Sequence, residues 1–463
     1  MSNEKEASME AQKAELFERA PIPRAVMKLA IPTVLSSLVM VIYNLADTYF
    51  VEMLNNPTQN AAVTLAAPVL LAFNAVNNLF GVGGSSLMSR YLGQKEYKAV
   101  QKSSAVSFYC ALGFSVMFSL AFLIFHTQLL VILGAAEDTA AVTWQYLRWT
   151  TVCGAVPAIL NVVMANLVRA EGSALHASIG TMSGCLLNII LDPVFILPFG
   201  LDMGAAGAGL ATFISNCVAC LYFFTLIRVR RGRTFVCVDP RMFSFDIAIL
   251  KQICAVGIPA AIQNLLNVTG MTVLNNFTAS YGTTAVAAMG ISQKINMIPM
   301  YISMGLSQGV MPLVGYNFAS GNRNRMRKAV TFAARISVSF ILLMTVVYFV
   351  GSEGLFGMFM KDEEVIAYGS RFLHGMCIGL AFLTVDFLAV GVFQACGLGK
   401  YSLTFAILRK VVLEIPALFI LNWLWPLYGL AYAQTCAEFV LAIAAVILLR
   451  KILRESDRNL NSH

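Results

Sequence analysis

Asn188 and Asp192 stand four residues apart in Leu186-Leu187-Asn188-Ile189-Ile190-Leu191-Asp192-Pro193, a run that is otherwise apolar. On a helix this spacing puts the amide and the carboxylate on one face. A carboxylate within a lipid-spanning helix is costly and marks a cavity, a partner or an ion path. A second acid, Asp47, lies in Ile42-Tyr43-Asn44-Leu45-Ala46-Asp47-Thr48-Tyr49-Phe50, again among apolar residues. Thr212 adds a hydroxyl in Gly209-Leu210-Ala211-Thr212-Phe213, and Tyr146 a phenol in Tyr146-Leu147-Arg148. Two carboxylates, an amide oxygen and a hydroxyl form a hard-oxygen set suited to Na⁺ or a proton. Two acids in one low-dielectric site resist carrying both charges at once, so the pair suits cation exchange.

The elements that must position these groups follow from composition. The chain is 58% hydrophobic and 12% charged, where soluble proteins carry roughly 25% charged residues. Several apolar runs reach the ~20 residues needed to span a bilayer. The expected fold is an all-α polytopic membrane protein with twelve spans at about 26–53, 62–90, 103–134, 140–168, 176–198, 206–229, 249–280, 285–316, 329–359, 366–395, 402–424 and 427–450. Residues 1–25 have neither the apolar core nor the cleavage site of a signal peptide. Asp192 precedes Pro193, which disfavours helical geometry at Asp192 and predicts a loosened turn with carbonyls open to a cation.

Basic residues alternate between loops. Arg90, Lys95, Lys98 and Lys102 mark one loop, Arg228, Arg230, Arg231 and Arg233 the next of that set, then Arg323, Arg325, Arg327 and Lys328, and finally Lys400. The opposite loops are nearly free of Lys and Arg, Lys361 being the main exception. This places both termini in the cytoplasm and assigns the net charge of +8 to topology rather than to nucleic acid.

The two halves repeat. Ile31-Pro32 matches Ile258-Pro259, Gly81 and Tyr91 match Gly305 and Tyr316, and Val168–Gly172 matches Phe393–Gly397. Pro193 matches Pro416, and Gly209-Leu210-Ala211 matches Gly429-Leu430-Ala431. The expected domains are a cytoplasmic segment 1–25, an N-lobe 26–230, a linker 231–248, a C-lobe 249–453 and a tail 454–463, with a cleft between the six-helix lobes. The polar pair is not repeated, since Ile415 stands where Asp192 would be. The C-terminal half offers Asp386 as an isolated acid, Gln263 and Asn275 in the seventh span, and Glu414 beside Arg409 and Lys410, where an ion pair is expected. Asp386, Asn275 and Gln263 are candidate substrate contacts.

No Walker A motif is present, the histidines have no metal spacing, and Cys217-x-x-Cys220 stands alone as a pair of small apolar residues. No cofactor is expected beyond a coupling ion, H⁺ or Na⁺.

The chain resembles the multidrug and toxic compound extrusion (MATE) transporters, in particular the bacterial MepA-like group. The resemblance rests on Ile31-Pro32, Ala46-Asp47-Thr48, Ser89-Arg90-Tyr91-Leu92-Gly93, Arg169-Ala170-Glu171-Gly172, Asn188-x-x-x-Asp192-Pro193 and Gly315-Tyr316-Asn317-Phe318-Ala319-Ser320-Gly321-Asn322. It covers roughly residues 20–453. It implies export of organic cations or amphiphilic drugs in exchange for Na⁺ or H⁺ by a protein of the bacterial plasma membrane, functional as a monomer. It also implies an N-lobe cation site at Asp47, Asn188, Asp192 and Thr212 with Tyr146 as neighbour. The NorM-like branch uses an acid in the seventh span, which this chain lacks. A flippase for lipid-linked saccharides is the alternative on the same architecture. It would need a strongly basic cleft, whereas most Lys and Arg fall in loops here. A membrane enzyme would need a metal or nucleophile constellation, and none is visible.

Overall fold

The computed structural model describes residues 11, 13–357 and 362–458. Lys361, residues 1–10 and 12 of the first predicted terminal segment and residues 459–463 of the second lie outside that range. The described residues contain helices and no strand, as a chain that must satisfy its backbone groups within lipid requires.

Over the described residues, each predicted span falls mainly on helix. We number them α1 (Ile22–Glu52), α2 (Pro57–Gly93), α3 (Tyr97–Ile124) and α4, whose arms Glu137–Cys153 and Ala155–Ala170 bend by 49°. Then come α5 (Ala174–Ile196), α6 (Ala205–Val229), α7 (Ile247–Ala279), α8 (Thr283–Ala319), α9 (Arg323–Gly357) and α10 (Glu363–Ala395). The eleventh, α11, runs in three pieces, Gly399–Ile407, the π-helical Leu408–Glu414 and Ile415–Leu424, and α12 is Gly429–Arg458. Among the described residues, nine helices are long and apolar enough to cross a bilayer, and ten if the arms of α4 form one span.

Local chemistry sets the boundaries. Asn56 accepts from the backbone of Thr58 at 3.0 Å to start α2, with Pro57 in the first turn, where its missing N–H is no loss. Asp362 accepts from Glu364 and Val365 at 2.9 and 3.2 Å to start α10. Gly172 and Gly397 are left-handed at φ +87 and +78. Each closes the same cap, Ser173 N to Val168 O at 3.3 Å and Leu398 N to Phe393 O at 2.8 Å. The repeat read from residue types is therefore also a repeat of backbone geometry.

The chain forms two compact units. One holds the described residues up to Arg19 together with Leu35–Ala261, the other Ala20–Val34 with the residues from Ile262 onward. The linker 231–248 thus belongs to the first unit, and α1 and α7 are each divided between the two. Within the first unit α5 packs along α6, and α4 packs on α2, α3, α5 and α6. Within the second, α10 packs along α8, α9 and α12. Its core gathers Phe372, Leu418, Leu430 and Met289 in one cluster and Phe356, Leu373, Ile341 and Leu380 in another.

The loosened turn expected at Asp192-Pro193 does not form. α5 continues as α-helix through Pro193 to Ile196. Pro193 removes one hydrogen bond near the helix end, and the following chain compensates by folding back. Leu201 N and Met203 N donate to the Val194 and Phe195 carbonyls at 2.8 and 2.9 Å. Gly207 lets α6 close against the same end, because a Cβ there would lie 2.4 Å from the Phe195 carbonyl oxygen.

Candidate functional site

The first unit brings the predicted N-lobe residues together. Asn188 and Asp192 project from one face of α5 and are buried, with Asp192 fully enclosed. Neither could remain there without polar partners. Their own spacing supplies the first. With its amide oriented to satisfy both neighbours, Asn188 donates from Nδ2 to Asp192 Oδ2 at 2.8 Å. Its Oδ1 accepts from the Thr212 hydroxyl at 3.3 Å and from the Thr212 backbone N–H at 3.1 Å. Asn188 thus ties the acid of α5 to α6.

Asp47, on α1, is half-buried and lies within electrostatic reach of Asp192. Both acids act on Tyr146, which is buried on the last α-helical turn of the first arm of α4. A π-helical stretch, Arg148–Cys153, follows it before the bend. Both acids also act on Tyr43, one turn before Asp47 on α1. Tyr43 was not singled out from sequence. Its (i, i+4) spacing to Asp47 is the signal that could have found it. The exposed Thr48 hydroxyl donates to the Asn44 carbonyl at 2.9 Å.

All the donors are oxygens. Among the described residues no three His, Cys, Asp or Glu side chains converge on a metal position. A cation held here would therefore draw on the amide and hydroxyl as well as the two acids. A proton needs only one of the carboxylates.

The second unit places Asp386, Gln263 and Asn275 in separate surroundings. Asp386 is buried on α10, and its Oδ2 accepts from Arg409 Nη1 at 3.0 Å. The same nitrogen lies 3.9 Å from Glu438 Oε1 on α12, while Arg409 Nη2 donates to Asn267 of α7. Arg409 is among the largest fully buried side chains, and neither Glu438 oxygen has a hydrogen-bond partner. Glu414 pairs with Lys410 at 2.6 Å rather than with Arg409. Gln263 Oε1 accepts from Gln394 at 3.4 Å, and Asn275 Oδ1 accepts from Gln293 at 3.0 Å. The guanidinium at the centre of Asp386 and Glu438 was missed in sequence, where Arg409 was weighed only against its neighbour Glu414.

Comparison with known proteins agrees with this architecture. The profile of the MatE family matches residues 32–194 and 259–420, which are two copies at the spacing of the internal repeat. The multidrug export protein MepA of Staphylococcus aureus strain MRSA252 is 35% identical over 445 residues, covering 95% of this chain and 96% of the relative. The MepA protein of Staphylococcus saprophyticus is 33% identical over 443 residues, with 95% and 96% covered. A solved structure described as the outward-facing conformation of a multidrug resistance MATE family transporter of the MOP superfamily superimposes with a TM-score of 0.90 at 25% identity. It covers 96% of this chain and 99% of that one. A MATE in the bent conformation superimposes with a TM-score of 0.87 at 25% identity, with 97% and 99% covered.

Proposed function

From the premise that this chain belongs to the MatE family of multi-pass membrane transporters, which are not enzymes, we propose that it exports organic cations and amphiphilic drugs across the bacterial plasma membrane in exchange for H⁺ or Na⁺. The working unit is a monomer with both termini in the cytoplasm. Alternating access of the two lobes, 26–230 and 249–453, carries the substrate. The relatives named as multidrug export proteins support the substrate class.

One observation carries the coupling reading: a fully buried Asp192, hydrogen-bonded through Asn188 to Thr212, with the half-buried Asp47 in electrostatic reach. When the outer side opens, a proton or Na⁺ enters and reduces the negative charge shared by Asp47 and Asp192. The acid on α1 is then drawn differently toward α5. That shift in α1 releases the drug outward, and loss of the cation to the cytoplasm resets the cycle. A potential of 100 mV supplies about 2.3 kcal/mol per charge moved. One inward cation then sustains roughly a fortyfold gradient of a neutral substrate, at about 1.4 kcal/mol per tenfold.

Reconstitution of Asp47→Asn and Asp192→Asn variants in proteoliposomes tests this. Each should insert and bind drug, yet lose at least about tenfold of the efflux driven by an imposed cation gradient, a loss of about 1.4 kcal/mol in coupling. Full gradient-driven efflux in both variants would sink the N-lobe mechanism.

A further inference from the structure

The groove between the start of α1 and the first turns of α9, both in the second unit, has a volume of about 500 Å³. Arg327, Lys328, Thr331 and Arg335 of α9 line it with Ile22 and Pro23 of α1. The α9 residues recur at three- and four-residue steps, so they share one helical face. No acidic side chain lines the groove, and among the described residues none of the three cations is in an ion pair. Neighbouring basic residues are engaged elsewhere: Arg323 stacks 4.0 Å over the Phe318 ring, and Arg325 Nη2 donates to the Ala20 carbonyl at 2.6 Å.

The depth of these cations is fixed by the helix itself. No charged residue falls between Arg335 and Glu353, a rise of about 27 Å, close to the ~30 Å hydrocarbon thickness. Arg335 therefore stands at the edge of the hydrocarbon, with Arg327 and Lys328 about 10–12 Å further out. Past Arg335 the same face continues through Ser339, Leu342, Val346 and Val350, all exposed. A cationic groove at headgroup depth thus runs directly into an apolar stripe along one helix.

We propose that this groove holds the phosphate-bearing headgroup of an anionic phospholipid, with its acyl chains laid along the exposed face of α9. The continuity of charge and apolar surface fits a lipid. A free phosphate would use only the upper half, and an acidic peptide would leave the stripe bare. Clusters of Lys and Arg at a membrane surface attract anionic lipid by about 1 kcal/mol per residue, so three cations should give a preference on the order of a hundredfold at about 1.4 kcal/mol per tenfold.

Full-length protein purified in detergent is titrated with dioleoyl phosphatidylglycerol or dioleoyl phosphatidylcholine, and bound lipid is counted by native mass spectrometry. The wild type should bind the phosphatidylglycerol on the order of a hundredfold more tightly. The Arg327→Gln/Lys328→Gln/Arg335→Gln variant should bind the two nearly equally. An Arg228→Gln/Arg230→Gln control, altered on a different loop, should keep the preference. Equal binding by the wild type, or a preference retained in the triple variant, overturns the proposal. So does displacement of the glycerol lipid by millimolar inorganic phosphate, which would make this a phosphate site. Arg335→Gln alone, a single exposed change, carries the same test if the triple variant does not fold.

Discussion

Asn188 shows how much one amide can settle in a low-dielectric interior. It gives a proton-donating contact to Asp192 and takes two from Thr212, so it fixes the carboxylate and the spacing of α5 to α6 together. Arg409 plays the corresponding part in the second unit, there as a cation set between Asp386 and Glu438. Truncating one member of a buried charge group leaves the others uncompensated, at a cost of about 3–5 kcal/mol. Arg409→Met should therefore lower the thermal unfolding midpoint sharply. Adding Asp386→Leu and Glu438→Gln should recover most of the loss. An unchanged midpoint in the single variant would show that the guanidinium does not hold these helices together.

At the scale of elements, the linker after α6 is fastened rather than loose. Glu171, buried in the turn between α4 and α5, accepts from Thr234 Oγ1 at 3.0 Å and from Phe235 N at 2.8 Å. Ser104 Oγ accepts from Cys237 N at 3.0 Å, Tyr109 donates to the Val238 carbonyl at 2.8 Å, and Phe235 stacks on Tyr97 at 4.9 Å. Hydrogen bonds to a charged group are worth about 1.5–3 kcal/mol, and cleavage tracks the population of the open form. Glu171→Ala should thus raise tryptic cleavage at Arg228–Arg233 by about tenfold or more, read by gel after limited proteolysis. An unaltered rate would mean that Ser104, Tyr109 and Phe235 hold the segment unaided. The helices themselves were legible in the sequence because each is an apolar run, and Asn188–Asp192 was legible because four residues make one helical turn. Arg409, Asn267 and Glu438 were not, because their meeting depends on how α7, α11 and α12 pack, across more than 140 residues of chain. The behaviour at Pro193 was misread because a proline's local preference is weaker than the turn that folds back to satisfy the freed end of α5.

At the scale of the whole molecule, exchange and passive conduction make different demands on the same fold. In proteoliposomes with independently imposed Na⁺ and pH gradients, efflux should follow one of the two and stop when that gradient is collapsed. Labelled substrate should still equilibrate by counterflow, and voltage alone should drive no substrate-free current. Steady conduction under voltage would identify a channel. The division of α1 and α7 has a separate consequence, for synthesis. Residues 20–34 leave the ribosome ahead of Leu35–Ala261, yet their unit consists otherwise of residues from Ile262 onward. The other unit lacks its last stretch until residue 261 has emerged. Neither half of the gene product, cut at the linker, would carry all the residues of its own unit. The first unit is thus completed only when the start of α7 has been made, and the start of α1 must await the rest of the second, so two units whose sequence reads as a duplication exchange the opening stretches of their first helices.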